Sequence, residues 1–453
     1  MKYDAIVIGS GIGGLSTALL LTNQGRKTLL LEKNDSLGGR LRSYHRDGFT
    51  VDLGVHIISR CEKGPLGEIL SRAKVVSKLK FEKVRPVSSY DGKIFIFPHD
   101  LKDMMPEKDF DGLMKFMSDI RAMTDNEVSG YDNVTIKSVL NKYTENPLAH
   151  SCLFNISMVY TCLSSWLLSA GELMRCLRYE AEARASGYPI GGCGTIVQEL
   201  AEAIRERGGD IIANTPVEKI LIKDNKVTGV ITNDNEYAAD IIVSNADIKH
   251  TILNLAGESY FDNDYVEYVK ILEYSWAGPV VRVALDAKIS DIKMLTQFGS
   301  LDQEEYYRSL QAGIMPPELN LFLVSPSNFS PEAAPDGKQL INITTPIPLD
   351  LPQNILDALP QAMMKTVEKY IPDIKEHILW TEYTSISDLS RDLGECGASI
   401  GIGQRVGQVG KDRPAIKTSV NGLYIVGGES GGTGVGTELA MNSALELIDN
   451  YIF

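Results

Sequence analysis

Apolar positions along the chain fall into short uninterrupted runs and four-residue periodicities, and their alternation predicts a nucleotide-type fold. Residues 3–8 (Tyr-Asp-Ala-Ile-Val-Ile) form a short apolar run stopped by Gly9, the pattern of a strand buried on both faces. Leu15, Leu19 and Leu20 recur at helical spacing within 12–24, and 27–32 (Lys-Thr-Leu-Leu-Leu-Glu) gives a second strand, completing one βαβ unit. Residues 65–185 read as mixed and mostly helical, with charged amphipathic segments at 100–124 and 172–185. From Gly191 the character changes. Gly191-Gly192-Cys193-Gly194 opens a helix over 195–207, with Ile196, Leu200 and Ile204 on one face, and Gly208-Gly209 closes it. Two β-rich runs follow at 210–222 and 226–232 with Asp224-Asn225 between them as a hairpin turn, and 239–244 reads as another buried strand. Residues 278–350 are strand- and proline-rich, 353–371 is an amphipathic helix, and 421–448 returns to strand, glycine turn and helix.

Composition narrows the function classes. The 453 residues are enough for two or three domains, and 43% hydrophobic with 23% charged residues excludes wholesale disorder. Lys and Arg number 45 against 59 Asp and Glu, a net charge of −14, and no dense basic run appears; a dedicated nucleic-acid binder is excluded. Six scattered cysteines without a C-x-x-C pair read as reduced thiols of a cytoplasmic protein. Residues 5–25 carry no charge, yet their glycines suit a nucleotide-binding turn better than a signal peptide. A second uncharged window, 146–171, reads either as a buried helix pair or as the wall of an apolar substrate tunnel or a membrane-dipping face. The histidines show no ligand spacing, so no metal is expected.

Forty glycines ask for a reason, and the first cluster supplies one. Gly9, Gly11 and Gly14 match G-x-G-x-x-G, with Ile12 and Gly13 between them. The motif follows a strand, opens a helix and is followed by Glu32, 18 residues after Gly14. Gly9 permits the tight turn, Gly11 the approach of a pyrophosphate and Gly14 close helix–strand packing, while the helix N-terminus offers free N–H groups to phosphate. Glu32, beside Lys33, is placed to accept hydrogen bonds from the adenosine ribose.

Ser36-Leu37-Gly38-Gly39-Arg40-Leu41-Arg42-Ser43 follows shortly after, and it resembles the GG motif of the flavin amine oxidase superfamily. A glycine pair lets backbone pass close to a cofactor, and Arg40 offers a guanidinium to its phosphate or to the flavin edge. Three further segments are similar to the phytoene desaturase/carotenoid isomerase-like branch of that superfamily: Phe49 to His56, containing Asp52, Gly54 and Val55; Gly191 to Ile220, containing Val217; and Asn421 to Glu438, containing Gly428, Glu429, Gly436 and Thr437. The resemblance implies an α/β protein in which an amine-oxidase-like Rossmann-type FAD-binding domain (1–80, 190–250 and 395–453) is interleaved with an α+β substrate-binding domain (81–189 and 251–394). It implies non-covalent FAD, with Val217 bracketing the adenine, Asn245 among the cofactor-binding residues, Glu429 at the ribityl or pyrophosphate and a helix N-terminus near Gly436 facing the isoalloxazine.

The implied activity is flavin-dependent desaturation, saturation or isomerisation of an apolar substrate, with oxygen, a quinone or a protein as electron acceptor and with contact to a membrane surface conceivable. His56 is the one candidate proton donor or acceptor; a purely structural role beside the cofactor is the plainer reading. Glu438 either orients substrate or caps the terminal helix. A flavin amine oxidase is the nearest rival, with Tyr383 and Lys417 as conceivable candidates. A rival of another class is a prenyl- or lipid-binding protein of the dissociation-inhibitor type, which lacks an intact phosphate turn.

Overall fold

The computed structural model describes residues 2–452. At its centre lies a five-stranded sheet in the order Leu423–Ile425, Ile241–Ser244, Ala5–Ile8, Thr28–Leu31, Asp210–Ile212, parallel throughout. Three distant stretches of chain therefore build one sheet. The chain leaves Ala5–Ile8 towards Thr28–Leu31 on one side and returns as Ile241–Ser244 on the other, so a crevice opens between their carboxyl ends.

Alternation within the strands explains the layers. Ala5, Val7, Leu30 and Val243 pack on one face with Leu15 and Leu19 of the helix Ile12–Asn23, Leu200 of Gly194–Glu206 and Leu445 of Thr437–Asn450. Ile6, Ile8, Leu29, Leu31 and Ile242 face the opposite way, onto Ile220, Val227, Val230 and Tyr237 of a three-stranded antiparallel sheet. Residues Ile248 to Leu272 add Ile252, Leu255, Val266 and Val269 to this second cluster.

A seven-stranded sheet forms the other half, in the order Ile378–Thr384, Val280–Leu285, Gln339–Thr344, Leu321–Val324, Met294–Gln297, Val87–Tyr90, Lys93–Phe95. Its large core includes Val281, Val283, Ile341 and Ile343, together with Phe116 of the helix Glu107–Ala122, Phe154 of Pro147–Thr161 and Leu359 of Gln353–Val367. The region 65–185, expected to be mostly helical, thus contributes two strands to this sheet; a third, Phe81–Lys83, pairs with Gly187–Pro189. The strand-rich stretch 278–350 contains the helix Gln303–Gln311. The run 210–222 divides into Asp210–Ile212 and Val217–Lys223, because Pro216 lacks the N–H a ladder needs and Asn214 turns left-handed at φ 51°. The uncharged window 146–171 is one helix, Pro147–Thr161, and a connection over 162–169 that opens on a left-handed Cys162 and leads into the start of the next helix at Ala170. Among the described residues no helix is long and apolar enough to cross a membrane.

The two halves meet at a buried guanidinium. Arg282, fully inaccessible on the strand Val280–Leu285, donates through Nε to the carbonyl of Asp52 at 3.0 Å and through Nη2 to that of Leu53. Its Nη1 reaches Thr384 Oγ1 at 2.6 Å and Glu382 at 3.3 Å. Replacement by Met leaves two buried carbonyls unpaired, and it should cost about 3–5 kcal/mol in chemical unfolding of the protein. Glu382 is partly exposed, so Glu382→Gln should cost less than about 1 kcal/mol. Equal costs would assign the junction to the ion pair instead of the carbonyl contacts.

Candidate functional site

The crevice is lined by the glycine turn. Gly14 tolerates no side chain: a Cβ there would sit 2.0 Å from the Gly9 carbonyl, where the first helix crosses the end of the first strand. Ser10 locks the turn by donating from its backbone N–H (2.8 Å) and its hydroxyl (2.5 Å) to Glu32 Oε2. The same hydroxyl accepts the Gly38 N–H at 3.0 Å. Gly38, at φ 107°, has Val197 so close that a Cβ would fall 2.6 Å from its methyl. Glu32 and Gly38 are thereby tied to one serine, with Glu32 Oε1 accepting the Asn34 N–H at 2.9 Å.

The cleft runs in two joined lobes that share Gly11, Arg40, Asn245 and Glu395. One lobe is walled by Gly9, Glu32, Lys33, Gly39 and Val217. The other is walled by Ile12, Gly13, Gly38, Leu41, His56, Gly428, Glu429, Gly436 and Thr437. The structure thus brings the sequence-derived cofactor residues together along one elongated cleft, with Gly54 and Val55 just beyond it. Gly14 alone lies behind the wall, in the packing role. The helices Ile12–Asn23 and Thr437–Asn450 both begin on the cleft, so their unpaired N–H groups and positive dipole ends face it.

Charge in the cleft is unusual. Arg40 pairs with Glu395 and donates to the Ala398 carbonyl at 3.0 Å, while its Nε is buried without a partner. That orphan donor, the glycine cradle and two helix N-termini fit an anionic dinucleotide. Glu429 is buried and accepts the N–H groups of Ile248 (2.7 Å) and Ile402 (3.0 Å), so it clamps two loops. Burial, then Glu395 and Asp247 nearby, push its carboxyl well above the usual carboxylate range. Burial also raises Glu395, outweighing the pull of Arg40.

Arg40 and His56, with Ser399 and Ile400, are shared between this cleft and a second, apolar cavity. The apolar cavity is walled by Leu53, Val55, Met158, Val159, Val280, Leu321, Phe322, Leu389 and Leu393, among others. The uncharged helix therefore does form a cavity wall, through Asn155, Met158, Val159 and Tyr160, with Cys162 at its end. His56 Nε2 lies 2.9 Å from the Arg40 carbonyl, to which it donates as the neutral tautomer. Burial holds the ring below its ordinary pKa.

Several residues behave differently from their sequence reading. Glu438 does not cap its helix, whose N-cap Gly436 makes no side-chain bond; it forms an ion pair with Arg60. Tyr383 and Lys417 line neither the cleft nor the cavity, and Lys417 is exposed. Sequence reasoning passed over Ser10, Asp247, Glu395 and Asn155. Only Glu395 carried a local signal, the Gly394 to Gly397 turn, in which four successive residues have positive φ.

A family model described as flavin containing amine oxidoreductase matches residues 12–446. A phytoene desaturase of Fusarium fujikuroi is 26% identical over 389 residues, 77% of this chain and 66% of the relative, so the chain spans just under two thirds of that protein. A chloroplastic prolycopene isomerase of an Oncidium hybrid cultivar is 26% identical over 487 residues, 94% of this chain and 80% of the relative. A solved structure of an oxidoreductase from Methanosarcina mazei shares the fold, with a TM-score of 0.78 at 19% identity over 99% of this chain and all of that one.

Two outcomes follow from the geometry. Gly11→Val should fill the cleft and yield flavin-free protein with unchanged circular dichroism, whereas Gly14→Ala should also lower the melting temperature, by overpacking worth about 1–3 kcal/mol. The ratio of flavin to protein absorbance and a thermal melt distinguish them. For His56, the unfolded chain binds a proton that the buried ring refuses, so its contribution to stability falls as pH drops below about 6.5. Acidification from about pH 7 to about pH 5 should therefore lower the melting temperature of the native protein more than that of His56→Gln.

Proposed function

The chain belongs to the family of flavin-containing amine oxidoreductases and takes FAD as its cofactor, and from that premise we propose that it is an oxidoreductase acting on an apolar, isoprenoid-type polyene by C–C desaturation, saturation or isomerisation. The observation that carries this reading is the meeting of the dinucleotide cleft with an apolar cavity at Arg40, His56, Ser399 and Ile400. The names of the desaturase and isomerase relatives support the same substrate class.

When bound, FAD supplies hydride transfer, and the chain supplies placement and dryness. The adenosine end would lie between Glu32 and Val217, the pyrophosphate at the Ile12–Asn23 helix N-terminus and Arg40, and the flavin between Gly436–Thr437 and Gly54–His56. The Arg282 contacts fix Leu53, and with it the approach to Gly54, at the boundary of the two spaces. Around the apolar cavity Arg40 is the one charged lining residue among those described, and Glu395 already pairs with it. A protonated amine would lose its hydration there without gaining a carboxylate. Tyr160 and Cys162, both held protonated by burial, keep the wall uncharged. His56, neutral and facing the boundary, is the group available to hold a proton beside the ring.

We place the protein in the cytoplasm, where its six unpaired cysteines suit a reducing compartment, with peripheral membrane contact as the means of reaching an apolar substrate. Oxygen, a quinone or a protein partner would accept its electrons. Anaerobic mixing of the oxidised, FAD-loaded protein with partly saturated acyclic polyenes should bleach the flavin if the reaction is desaturation. Mixing of the chemically reduced protein with polyenes should restore its colour if it is saturation, or yield isomerised product at unchanged colour if it is isomerisation, whereas aliphatic amines should do none of these. Bleaching by amines alone would overturn the reading.

A further inference from the structure

The apolar cavity is not uniform along its length. At its cofactor end stand Arg40, His56, Ser399 and Cys162, whose thiol faces Ser399 and Arg40. Asn155 lies seven residues earlier on the same helix, a rise of about 10 Å at 1.5 Å per residue, and Met158 and Val159 line the cavity between the two. Thr296, Asn320, Leu321 and Phe322 line it from the seven-stranded sheet and the residue before its strand Leu321–Val324.

The polar groups of the lining and of its helix differ in what they have left to offer. Asn320 donates to Gln303 (2.7 Å) and Tyr307 (3.2 Å) and accepts the Gly299 N–H at 2.7 Å. Thr296 is bonded to Ser88 at 3.0 Å. On the helix itself Ser157 and Thr161 are satisfied by carbonyls one turn back. Asn155 is the exception: it is 8% exposed, it lines the cavity, and its Nδ2 has no partner. Nothing in the packing calls for an amide there, since Phe154 beside it turns into an aromatic cluster with Trp166 and Tyr307. A buried donor without an acceptor costs stability, so a ligand oxygen that meets it gains more than one bound at the surface.

We propose that Asn155 is a specificity residue that donates a hydrogen bond to an oxygen at the distal end of the substrate, so that the preferred substrate is a terminally oxygenated isoprenoid, an aldehyde or alcohol, rather than a bare hydrocarbon. This rests on the apolar-substrate reading above and adds the chemistry of one end. The cavity then binds its ligand in one direction, because an oxygen at the cofactor end would leave the amide unpaired and strand the apolar end beside it.

The test is an equilibrium titration of the FAD-loaded protein with farnesal and with β-farnesene, matched C15 isoprenoids, followed by the flavin visible spectrum. Native protein should bind farnesal at least about tenfold more tightly than β-farnesene, and Asn155→Leu should bring the two within roughly twofold by weakening farnesal alone. Asn155→Met serves if the leucine variant does not fold. Equal affinities in the native protein, or a ratio unchanged in the variant, would overturn the assignment while leaving the apolar substrate standing. Failure of the native protein to bind either compound would overturn the apolar-substrate reading and this inference with it.

Discussion

The placement of the site depends on one buried guanidinium. Arg282 has no solvent contact, and its four hydrogen bonds end on Asp52 and Leu53, at the end of the strand Phe49–Asp52, or on the neighbouring strand Ile378–Thr384. Asp52, whose carbonyl it holds, spends its carboxylate elsewhere: on Ser43 at 2.6 Å, the Cys193 N–H at 3.0 Å and Tyr188 at 2.5 Å. Residue 52 is therefore gripped on its carbonyl by the seven-stranded sheet and on its side chain by the Gly191–Gly194 turn that opens a helix beneath the parallel sheet. Gly54, Val55 and His56 hang from that double grip. An arginine suits the task because its planar fork can serve several carbonyls and hydroxyls at once, which a lysine cannot.

The acidity of the cleft is compensated by separate, local partners. Glu32, Asp247, Asp392, Glu395 and Glu429 all line it, against Lys33 and Arg40. If all five carboxylates were ionised and free, a pyrophosphate would be repelled. Instead, each is spent or neutralised: Glu32 on Ser10 and Asn34, Asp247 on the Tyr274 hydroxyl at 2.5 Å, Asp392 on Arg42, Glu395 on Arg40, and Glu429 on two backbone N–H groups with its ionisation suppressed by burial. What remains for a phosphate is the directional part of the site, the N–H groups of the glycine turn and the two helix ends. Arg40 adds one free donor, the Nε that Glu395 leaves unused.

The parallel sheet and its phosphate turn were legible because their causes are local. A strand buried on both faces must be apolar without interruption, and Gly9, Gly11, Gly13 and Gly14 must lack side chains where the strand, the helix and Asn245 converge within 2.0–3.3 Å of an added Cβ. The hairpin at Asp224-Asn225 was legible for the same reason, both residues being left-handed at φ 50° and 56°. The hairpin at Asp91-Gly92 carried an equivalent turn, at φ 49° and 72°, yet its strands are short and partly exposed, so the helical periodicity on either side dominated the reading of 65–185. Glu438 was misread because its partner, Arg60, lies 378 residues away.

The apolar cavity follows a different rule. Its walls come from 53–56, 155–162, 277–280, 296, 320–322, 344–346 and 389–400, segments that neither periodicity nor a motif connects. Apolar lining residues are indistinguishable in sequence from core residues, because both leave water for an apolar neighbour. Only a mismatch betrays a cavity, a polar side chain placed where a core would not accept it. Asn155 is such a mismatch within an otherwise ordinary buried helix, and its neighbours Ser157 and Thr161 show why the mismatch is invisible until the fold is known. Their hydroxyls can return to the helix backbone one turn back, whereas the longer amide of Asn155 finds no partner there. An amide that its own chain leaves unsatisfied, lining a space that meets the glycine-walled cleft, is therefore the mark by which such a cavity can be told from a core.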